Sequence, residues 1–103
     1  MKSSAVQTLW ERRDRLRIMA EIMEVAKGSQ LKTRIMYKVN LSFSQVNAYL
    51  SFLIEMGFLR VRVENGKKLY ETTAKGKLYI ENYIEMSKLL RSQDHDEAQI
   101  LLR

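Results

Sequence analysis

The 103-residue sequence contains no cysteine and no proline, and it has one histidine and four glycines. Without cysteine, the chain can form neither a disulfide framework nor a thiolate metal site. The lack of proline is typical of a helix-rich chain, because proline interrupts the hydrogen bonds of a helix interior. The scattered glycines form no loop of the kind that cradles nucleotide phosphates.

The single histidine, His95, limits the chemistry further. No Ser-His-Asp or Cys-His arrangement is plausible with this inventory, so we predict that the protein is not an enzyme. Asp94, Asp96 and Glu97 surround His95, but adjacent residues on a helix point in different directions. We therefore expect no metal, no cofactor and no small-molecule ligand.

The sequence also lacks long apolar runs. None approaches the roughly 20 residues that a membrane-spanning helix needs. The first residues have neither the apolar stretch nor the cleavage pattern of a signal peptide. We therefore expect a cytoplasmic protein without a membrane partner. The length suits one domain, and oligomerisation would help to stabilise so small a core.

Positive charge is abundant and unevenly distributed. The chain has 18 Lys and Arg against 12 Asp and Glu, a net charge of +6 at pH 7. Residues 1–80 carry +8, whereas residues 81–103 carry −2. A basic balance favours a polyanionic partner such as DNA, RNA or an acidic membrane surface, without choosing among them.

Apolar spacing predicts two helices in the first part of the chain. Helix 1 covers about residues 6–26, because Ile18, Ile22 and Val25 form one stripe, and Gly28 ends it. Its first turns contain four arginines, which either form a solvated face or contact phosphates: Arg12, Arg13, Arg15 and Arg17. Helix 2 covers about residues 31–37, and Asn40 tolerates the left-handed backbone that follows a helix.

Helix 3 covers about residues 43–56. Ser42 is a good N-cap, and Gln45 completes a capping-box pattern. Val46, Leu50 and Leu53 share an inner apolar face. The outer face carries Ser44, Asn47, Ala48, Ser51 and Glu55. Such small, mostly uncharged side chains fit the groove edges and phosphates of DNA, with Asn and Gln suited to adenine. They equally fit close packing against a protein.

Residues 58–72 predict a β-hairpin. Asn65-Gly66 is a strong signal for a type I′ turn, because both residues accept positive φ. The strands cover residues 58–63 and 67–72, and we expect Leu69 to point inward. The hairpin is basic through Arg60, Arg62, Lys67 and Lys68. These charges either contact phosphates or protect the strand edges against aggregation.

A fourth helix covers about residue 74 to at least residue 90, with Thr73 as its N-cap. Its apolar residues Tyr79, Tyr83, Met86 and Leu90 are spaced 4, 3 and 4 apart, which is typical of a coiled-coil seam. A helix that projects beyond a small domain cannot bury such a seam alone. We therefore predict a homodimer through this helix; the alternative is packing against helix 1 of the same chain.

This order of elements predicts a winged helix-turn-helix, an α+β fold that is mainly α, with a long C-terminal dimerisation helix. We divide the chain into a basic helical extension (residues 1–16), the winged helix-turn-helix domain (17–73) and the dimerisation helix (74–103). The predicted DNA-binding residues are Lys32, Thr33, Arg34, Ser42, Ser44, Gln45, Asn47, Ala48, Ser51, Arg60, Arg62, Lys67 and Lys68.

The segment KTRIMYKVNLSFSQVNAYLSFLIEMGFL at residues 32–59, the hairpin after it and the step Thr73-Ala74-Lys75-Gly76 resemble a known family. This family is the archaeal ten-kilodalton winged-helix DNA-binding proteins, which include predicted transcription regulators and chromatin proteins. The resemblance covers about residues 17–90. It implies an elongated dimer that pairs its C-terminal helices antiparallel and binds double-stranded DNA. Residues 1–16 look additional, and polar residues 91–97 argue against a long continuous coiled coil.

We therefore predict a dimeric protein that binds double-stranded DNA, as a transcription regulator or a chromatin-organising protein. Because the outer face of helix 3 lacks arginine, we expect modest sequence selectivity. The alternative is a winged-helix module that binds proteins and not DNA, which an apolar patch at Phe52 and Met56 would favour. RNA binding is less consistent with the sequence, which shows no cluster of exposed aromatic residues.

Overall fold

The protein was analysed as a computed structural model, in which the backbone of residues 4–101 and the side chains of residues 15–90 are described. Four helices and one antiparallel hairpin follow one another along the chain: α1 (Ser4–Val25), α2 (Lys32–Val39), α3 (Phe43–Glu55), β1 (Leu59–Glu64), β2 (Lys67–Thr72) and α4 (Ala74–Leu101). This arrangement confirms the predicted winged-helix fold class with its long last helix.

The three-part division of the chain stays a prediction. The boundary after residue 16 falls inside α1, which runs without a break from Ser4 to Val25. The boundary after residue 73 coincides with the start of α4. Among the described residues, no helix is long and apolar enough to cross a membrane.

The core lies where α1, α2, α3, the hairpin and α4 meet. The predicted inner face of α3 is confirmed, because Val46, Leu50 and Leu53 are all buried. The other buried members of the core are Ile22, Met23, Ala26, Ile35, Leu59, Tyr70 and Ile80. Each large side chain that leaves water in this way contributes roughly 1.5–3 kcal/mol to folding.

Most of the turn residues have the backbone conformation that the sequence predicts. Asn40 has φ of 59°, and Asn65 and Gly66 have φ of 52° and 76°, as a type I′ turn requires. The expectation that Gly28 would end helix 1 is wrong. The α-helix ends at Val25, a 3₁₀ turn covers Ala26–Gly28, and Ser29, not Gly28, has a positive φ, of 59°.

The hairpin register corrects the expected direction of Leu69. The two-residue turn pairs Glu64 with Lys67, so Leu69 lies opposite Arg62 and shares the face of the charged residues. Tyr70 and Thr72 point inward instead and are buried. Thr72 Oγ1 donates a hydrogen bond of 2.5 Å to the carbonyl of Met23, which ties the hairpin to α1.

A single bridge extends the sheet beyond the hairpin. The backbone N–H of Gln30 donates to Tyr70 O at 2.9 Å, and the N–H of Tyr70 donates to Gln30 O at 2.8 Å. Gln30 stands just before α2, so this bridge fixes the start of α2 beside the second strand. The helix-turn-helix and the hairpin are thereby held as one unit.

The start of α4 is packed tightly against the end of α3. Thr73 Oγ1 accepts from the N–H of Gly76 at 3.1 Å, which confirms Thr73 as the N-cap, and donates to Gly57 O at 2.6 Å. Lys75 Nζ donates to Met56 O at 2.7 Å and lies 4.9 Å from the ring centre of Phe58. A cation at this position also suits the negative end of α3.

Tyr79 joins α4 to α1 within the same chain. Its hydroxyl donates to Leu16 O at 2.8 Å, and its ring meets the edge of Phe58 at a centroid distance of 5.3 Å. Burial, followed by the nearby Tyr83 and Tyr49 hydroxyls, raises the pKa of Tyr79 to about 12.

Candidate nucleic-acid interface

The start of α3 is fixed by the predicted capping box. Ser42 Oγ accepts from the N–H of Gln45 at 3.2 Å, and Gln45 Oε1 accepts from the N–H of Ser42 at 2.9 Å. The outer face of α3 that follows is open to solvent. Its exposed members are Ser44, Ala48, Ser51 and Glu55, Gln45 is exposed beside them, and Asn47 is half-buried.

Lys32 and Asn47 connect the two helices of the helix-turn-helix. Lys32 Nζ donates to Asn47 Oδ1 at 2.6 Å, and the same ammonium lies 5.2 Å from the centre of the Phe43 ring. Both partners of this hydrogen bond are half-buried, whereas Thr33 and Arg34 on the same turn of α2 are exposed. The first turn of α2 therefore lies against the first turns of α3.

The basic residues of the hairpin differ in whether they pair with carboxylates. Arg60 contacts Glu71 at 3.0 Å, and Arg62 contacts Glu64 at 3.4 Å and Glu71 at 3.6 Å. Arg62 also donates to Ser29 Oγ at 3.3 Å. By contrast, Lys67 and Lys68 pair with no carboxylate among residues 15–90. The uncompensated positive charge of the hairpin thus lies at its tip.

A cleft joins the helix-turn-helix to the hairpin, and we name it the junction cleft. It has a volume of about 340 Å³ and is lined by Leu31, Lys32, Thr33, Phe43, Lys68 and Tyr70. Three predicted residues from two elements meet there: Lys32 and Thr33 of α2, and Lys68 of β2. The sequence analysis missed Leu31, Phe43 and Tyr70, because the bridge at Gln30 that brings them together has no strand pattern.

The other end of α3 borders an apolar cleft against α1. This cleft, named the α1–α3 cleft, has a volume of about 480 Å³ and is lined by Arg15, Leu16, Met19, Ala48, Tyr49 and Phe52. Ala48, predicted to contact DNA, therefore belongs to this apolar side of α3 as well. Phe52 and Met56, the two side chains that could supply an apolar patch on α3, are 44% and 40% exposed.

The predicted seam of α4 is only partly free. Tyr79 contacts α1 of the same chain, Tyr83 and Leu90 are half-buried, and Met86 is 37% exposed. Leu78 and Leu89, which are not among the four residues of the predicted seam, are 57% and 68% exposed. At 3.6 residues per turn, Leu78, Met86 and Leu89 lie on one side of α4, and we name them the outer stripe.

The described side chains offer no evident centre for metal chemistry. Among residues 15–90, no group of three or more His, Cys, Asp or Glu side chains is arranged to hold a metal ion. His95 and its acidic neighbours, which the sequence analysis considered as a metal site and rejected, lie outside the described side chains.

Comparison with known proteins identifies the family. The sequence pattern of the winged helix-turn-helix family matches residues 12–91, and the chain belongs to this family. The uncharacterized protein MJ0287 of Methanocaldococcus jannaschii is 32% identical over 83 residues, which are 80% of this chain and 81% of that protein.

Two solved structures resemble this chain. Sso10a-2, a DNA-binding protein from Sulfolobus solfataricus, superposes with a TM-score of 0.72 at 29% identity, over 85% of this chain and 95% of that one. SSV1 F-93 superposes with a TM-score of 0.56 at 26% identity, over 73% of this chain and 91% of that one. These matches confirm the resemblance to archaeal winged-helix DNA-binding proteins.

Proposed function

We propose that this protein is a homodimer that binds double-stranded DNA in the cytoplasm and acts as a transcription regulator or a chromatin-organising protein. The junction cleft is the observation that carries the proposal. Lys32 and Thr33 of the helix-turn-helix converge there with Lys68 of the hairpin. A helix and a basic hairpin held side by side suit the major groove and its flanking phosphates.

The outer face of α3 supports entry into the groove. Ser44, Gln45 and Ser51 are exposed, small or uncharged, and can approach base edges and phosphates closely. Exposed cations lie on the neighbouring elements: Arg34 in the first turn of α2, and Lys67 and Lys68 at the start of β2. Contacts of this kind position a protein on the duplex, whereas base contacts specify the sequence.

Two double variants of the hairpin test the phosphate contacts. If Lys67 and Lys68 each neutralise one phosphate, Lys67→Ala with Lys68→Ala should flatten the slope of log affinity against log salt by about 2 per subunit. Arg60→Ala with Arg62→Ala should change the slope by less, because both arginines already pair with carboxylates. Fluorescence anisotropy with a labelled duplex at several salt concentrations measures both slopes.

A matched control removes two lysines from α4, as Lys77→Ala with Lys88→Ala. This control changes the net charge by the same amount, so it should weaken binding slightly and leave the slope almost unchanged. If the Lys67/Lys68 variant has the same slope as the control, the hairpin tip does not contact phosphate.

The outer stripe of α4 supports the dimer. Leu78, Met86 and Leu89 are exposed along one side of the helix, and an apolar cleft of about 420 Å³ adjoins them. Leu78, Tyr83 and Met86 line this cleft together with Leu16 and Phe58. A second α4 laid antiparallel along the stripe would remove these apolar side chains from water.

Sedimentation equilibrium tests the dimer. The wild-type protein should have the mass of two chains at concentrations of tens of micromolar. Met86→Glu with Leu89→Glu should give a folded monomer with weaker DNA affinity, because two linked sites bind more tightly than one. Ile84→Glu, on another side of α4 and 45% exposed, is the control and should stay dimeric. A monomeric wild type, or a dimeric Met86/Leu89 variant, would refute the interface.

The α1–α3 cleft favours a second candidate function, which is a winged-helix module that binds another protein and not DNA. The cleft is apolar and lies beside the exposed ring of Phe52. Under this alternative, Phe52→Ser should abolish binding of the partner, and the wild-type protein should show no salt-dependent affinity for any duplex. Under the DNA-binding proposal, Phe52→Ser should leave the salt slope unchanged.

A further inference from the structure

The side-chain amide of Asn47 has a fixed orientation. Its Oδ1 lies 2.6 Å from Lys32 Nζ. A lysine ammonium only donates hydrogen bonds, so the atom that faces Lys32 must be the carbonyl oxygen and not the NH₂ group. The NH₂ group, which only donates, is the end that remains available.

Gln45 is constrained in the same way by a different partner. Its Oε1 accepts from the backbone N–H of Ser42 at 2.9 Å in the capping box. A backbone N–H also only donates, so the carbonyl of Gln45 is occupied and its NH₂ group is available. In both amides predicted to read bases, the carbonyl oxygen therefore already accepts a hydrogen bond within the protein.

Adenine is the base that this arrangement disfavours. An Asn or Gln side chain reads adenine with two hydrogen bonds, in which its carbonyl accepts from N6 and its NH₂ donates to N7. Guanine presents two acceptors in the major groove, O6 and N7, and thymine presents O4. The oxygen of each amide keeps a second lone pair, but the donor that already lies against it opposes the approach of adenine N6, which is also a donor. The free NH₂ group can still donate to guanine or thymine, so these bases are favoured over adenine.

We propose that the two amides of α3 present mainly their NH₂ donors to the major groove, and that Lys32 sets this preference by bonding the carbonyl of Asn47. Lys32 is thus a positioning residue that acts through Asn47. This inference rests on the proposed function, since it concerns how the protein reads duplex DNA. It replaces the expectation, drawn from residue type alone, that Asn47 and Gln45 suit adenine.

Two features hold Lys32 in place against the attraction of phosphates. The hydrogen bond carries a charge on its donor, and charge-assisted hydrogen bonds are shorter and stronger than neutral ones. The ammonium is also half-buried and lies 5.2 Å from the centre of the Phe43 ring, where the face of the ring attracts a cation.

Base selection from a random duplex library tests the inference. Five proteins are compared: the wild type, Asn47→Ala, Lys32→Met, Lys32→Met with Asn47→Ala, and Lys38→Met. Lys38 is exposed on the same helix and is the matched control for the loss of one charge. Each selection is run at the salt concentration that gives equal affinity for the unselected library, so that base preference is compared rather than affinity.

In the wild type and in Lys38→Met, no position of the selected site should show an adenine preference that is lost when Asn47 is replaced by alanine. Lys32→Met frees the carbonyl and should raise the preference for adenine over guanine at one position of the site about fivefold or more, as a bidentate pair does. The added Asn47→Ala change should abolish this gain. Lys32→Ala frees the same carbonyl and replaces Lys32→Met if thermal unfolding shows that the latter is unstable.

Three results would overturn the inference while leaving the proposed function intact. They are a Lys32→Met protein that selects the same bases as Lys38→Met, a wild type with an adenine preference that Asn47→Ala removes, and a Lys32→Met protein that binds no duplex at any salt concentration. Failure of the wild type to bind any duplex would refute the proposed function itself, and the inference with it.

Discussion

Replacement of Gly76 by alanine should destabilise the protein more than a glycine-to-alanine change ordinarily does. Gly76 is buried in the first turn of α4. A Cβ atom there would overlap the carbonyl oxygen of Phe58 and would lie 2.6 Å from Thr72 Cγ2 and 3.3 Å from Met23 Sδ. The Phe58 carbonyl belongs to the backbone, so a change of rotamer cannot relieve the overlap.

The contact with Phe58 sets the magnitude. Phe58 O accepts a hydrogen bond from the backbone N–H of Thr73 at 3.0 Å, and α4 cannot shift without weakening it. Overpacking of this kind costs about 1–3 kcal/mol. The better helix propensity of alanine offsets at most about 1 kcal/mol of this cost. Because the overlap falls on backbone, we take the upper end of this cost, about 3 kcal/mol. The net loss is then about 2 kcal/mol, which lowers Tm by about 8–16 °C in a domain of this size.

Thermal unfolding followed by circular dichroism measures this loss, and Gly28→Ala is the matched control. A Cβ atom at Gly28 would have only Gln30 Nε2 near it, at 3.9 Å, and φ at Gly28 is not positive. Gly28→Ala should therefore be neutral or stabilise the protein by up to about 1 kcal/mol. If Gly76→Ala unfolds at the same temperature as Gly28→Ala, the close packing of α4 against the hairpin is wrong.

Two further changes probe contacts that hold the winged helix together. Tyr79→Phe removes the hydrogen bond to Leu16 O and should lower the free energy of unfolding in urea by about 0.5–1.5 kcal/mol. The folded-state pKa of Tyr79 lies above its ordinary value of 10. The contribution of Tyr79 to the free energy of unfolding is therefore complete below pH 10 and is lost as the pH rises towards 12. Tyr79→Phe should remove this part of the pH dependence of stability. Ser42→Ala breaks the capping box and should cost about 1 kcal/mol by thermal unfolding, whereas Ser51→Ala should change stability by less than about 0.5 kcal/mol. Equal losses for the two serine variants would contradict the role of the cap.

Local signals in the sequence were sufficient for most of the fold. The Asn65-Gly66 turn, the Ser42 cap and the apolar spacing of α3 each depend on residues close in the chain, and each is present in the structure. Gly28 was misleading because glycine permits a left-handed end without requiring one. Leu69 was misplaced because the register of the hairpin, and not residue type, decides which side chains point inward.

The candidate site depends more on contacts between distant residues. Lys32 and Asn47 are 15 positions apart, and no sequence pattern shows that one occupies the carbonyl of the other. The pairing of Arg60 with Glu71 follows from the hairpin register, which sets the arginines apart from Lys67 and Lys68. Likewise, the apolar spacing of α4 does not show that Tyr79 contacts α1, and this contact leaves the outer stripe as the exposed apolar side of the helix.

Titration of a labelled duplex with the wild-type protein, repeated over a series of salt concentrations, shows whether the protein binds duplex DNA through phosphate contacts. Contacts from about four cations per subunit predict that log affinity falls with log salt at a slope near −4 per subunit. A single strand of the same sequence should bind more weakly than the duplex. No binding, a slope near zero, or tighter binding of the single strand would contradict the account of a double-stranded DNA-binding winged helix.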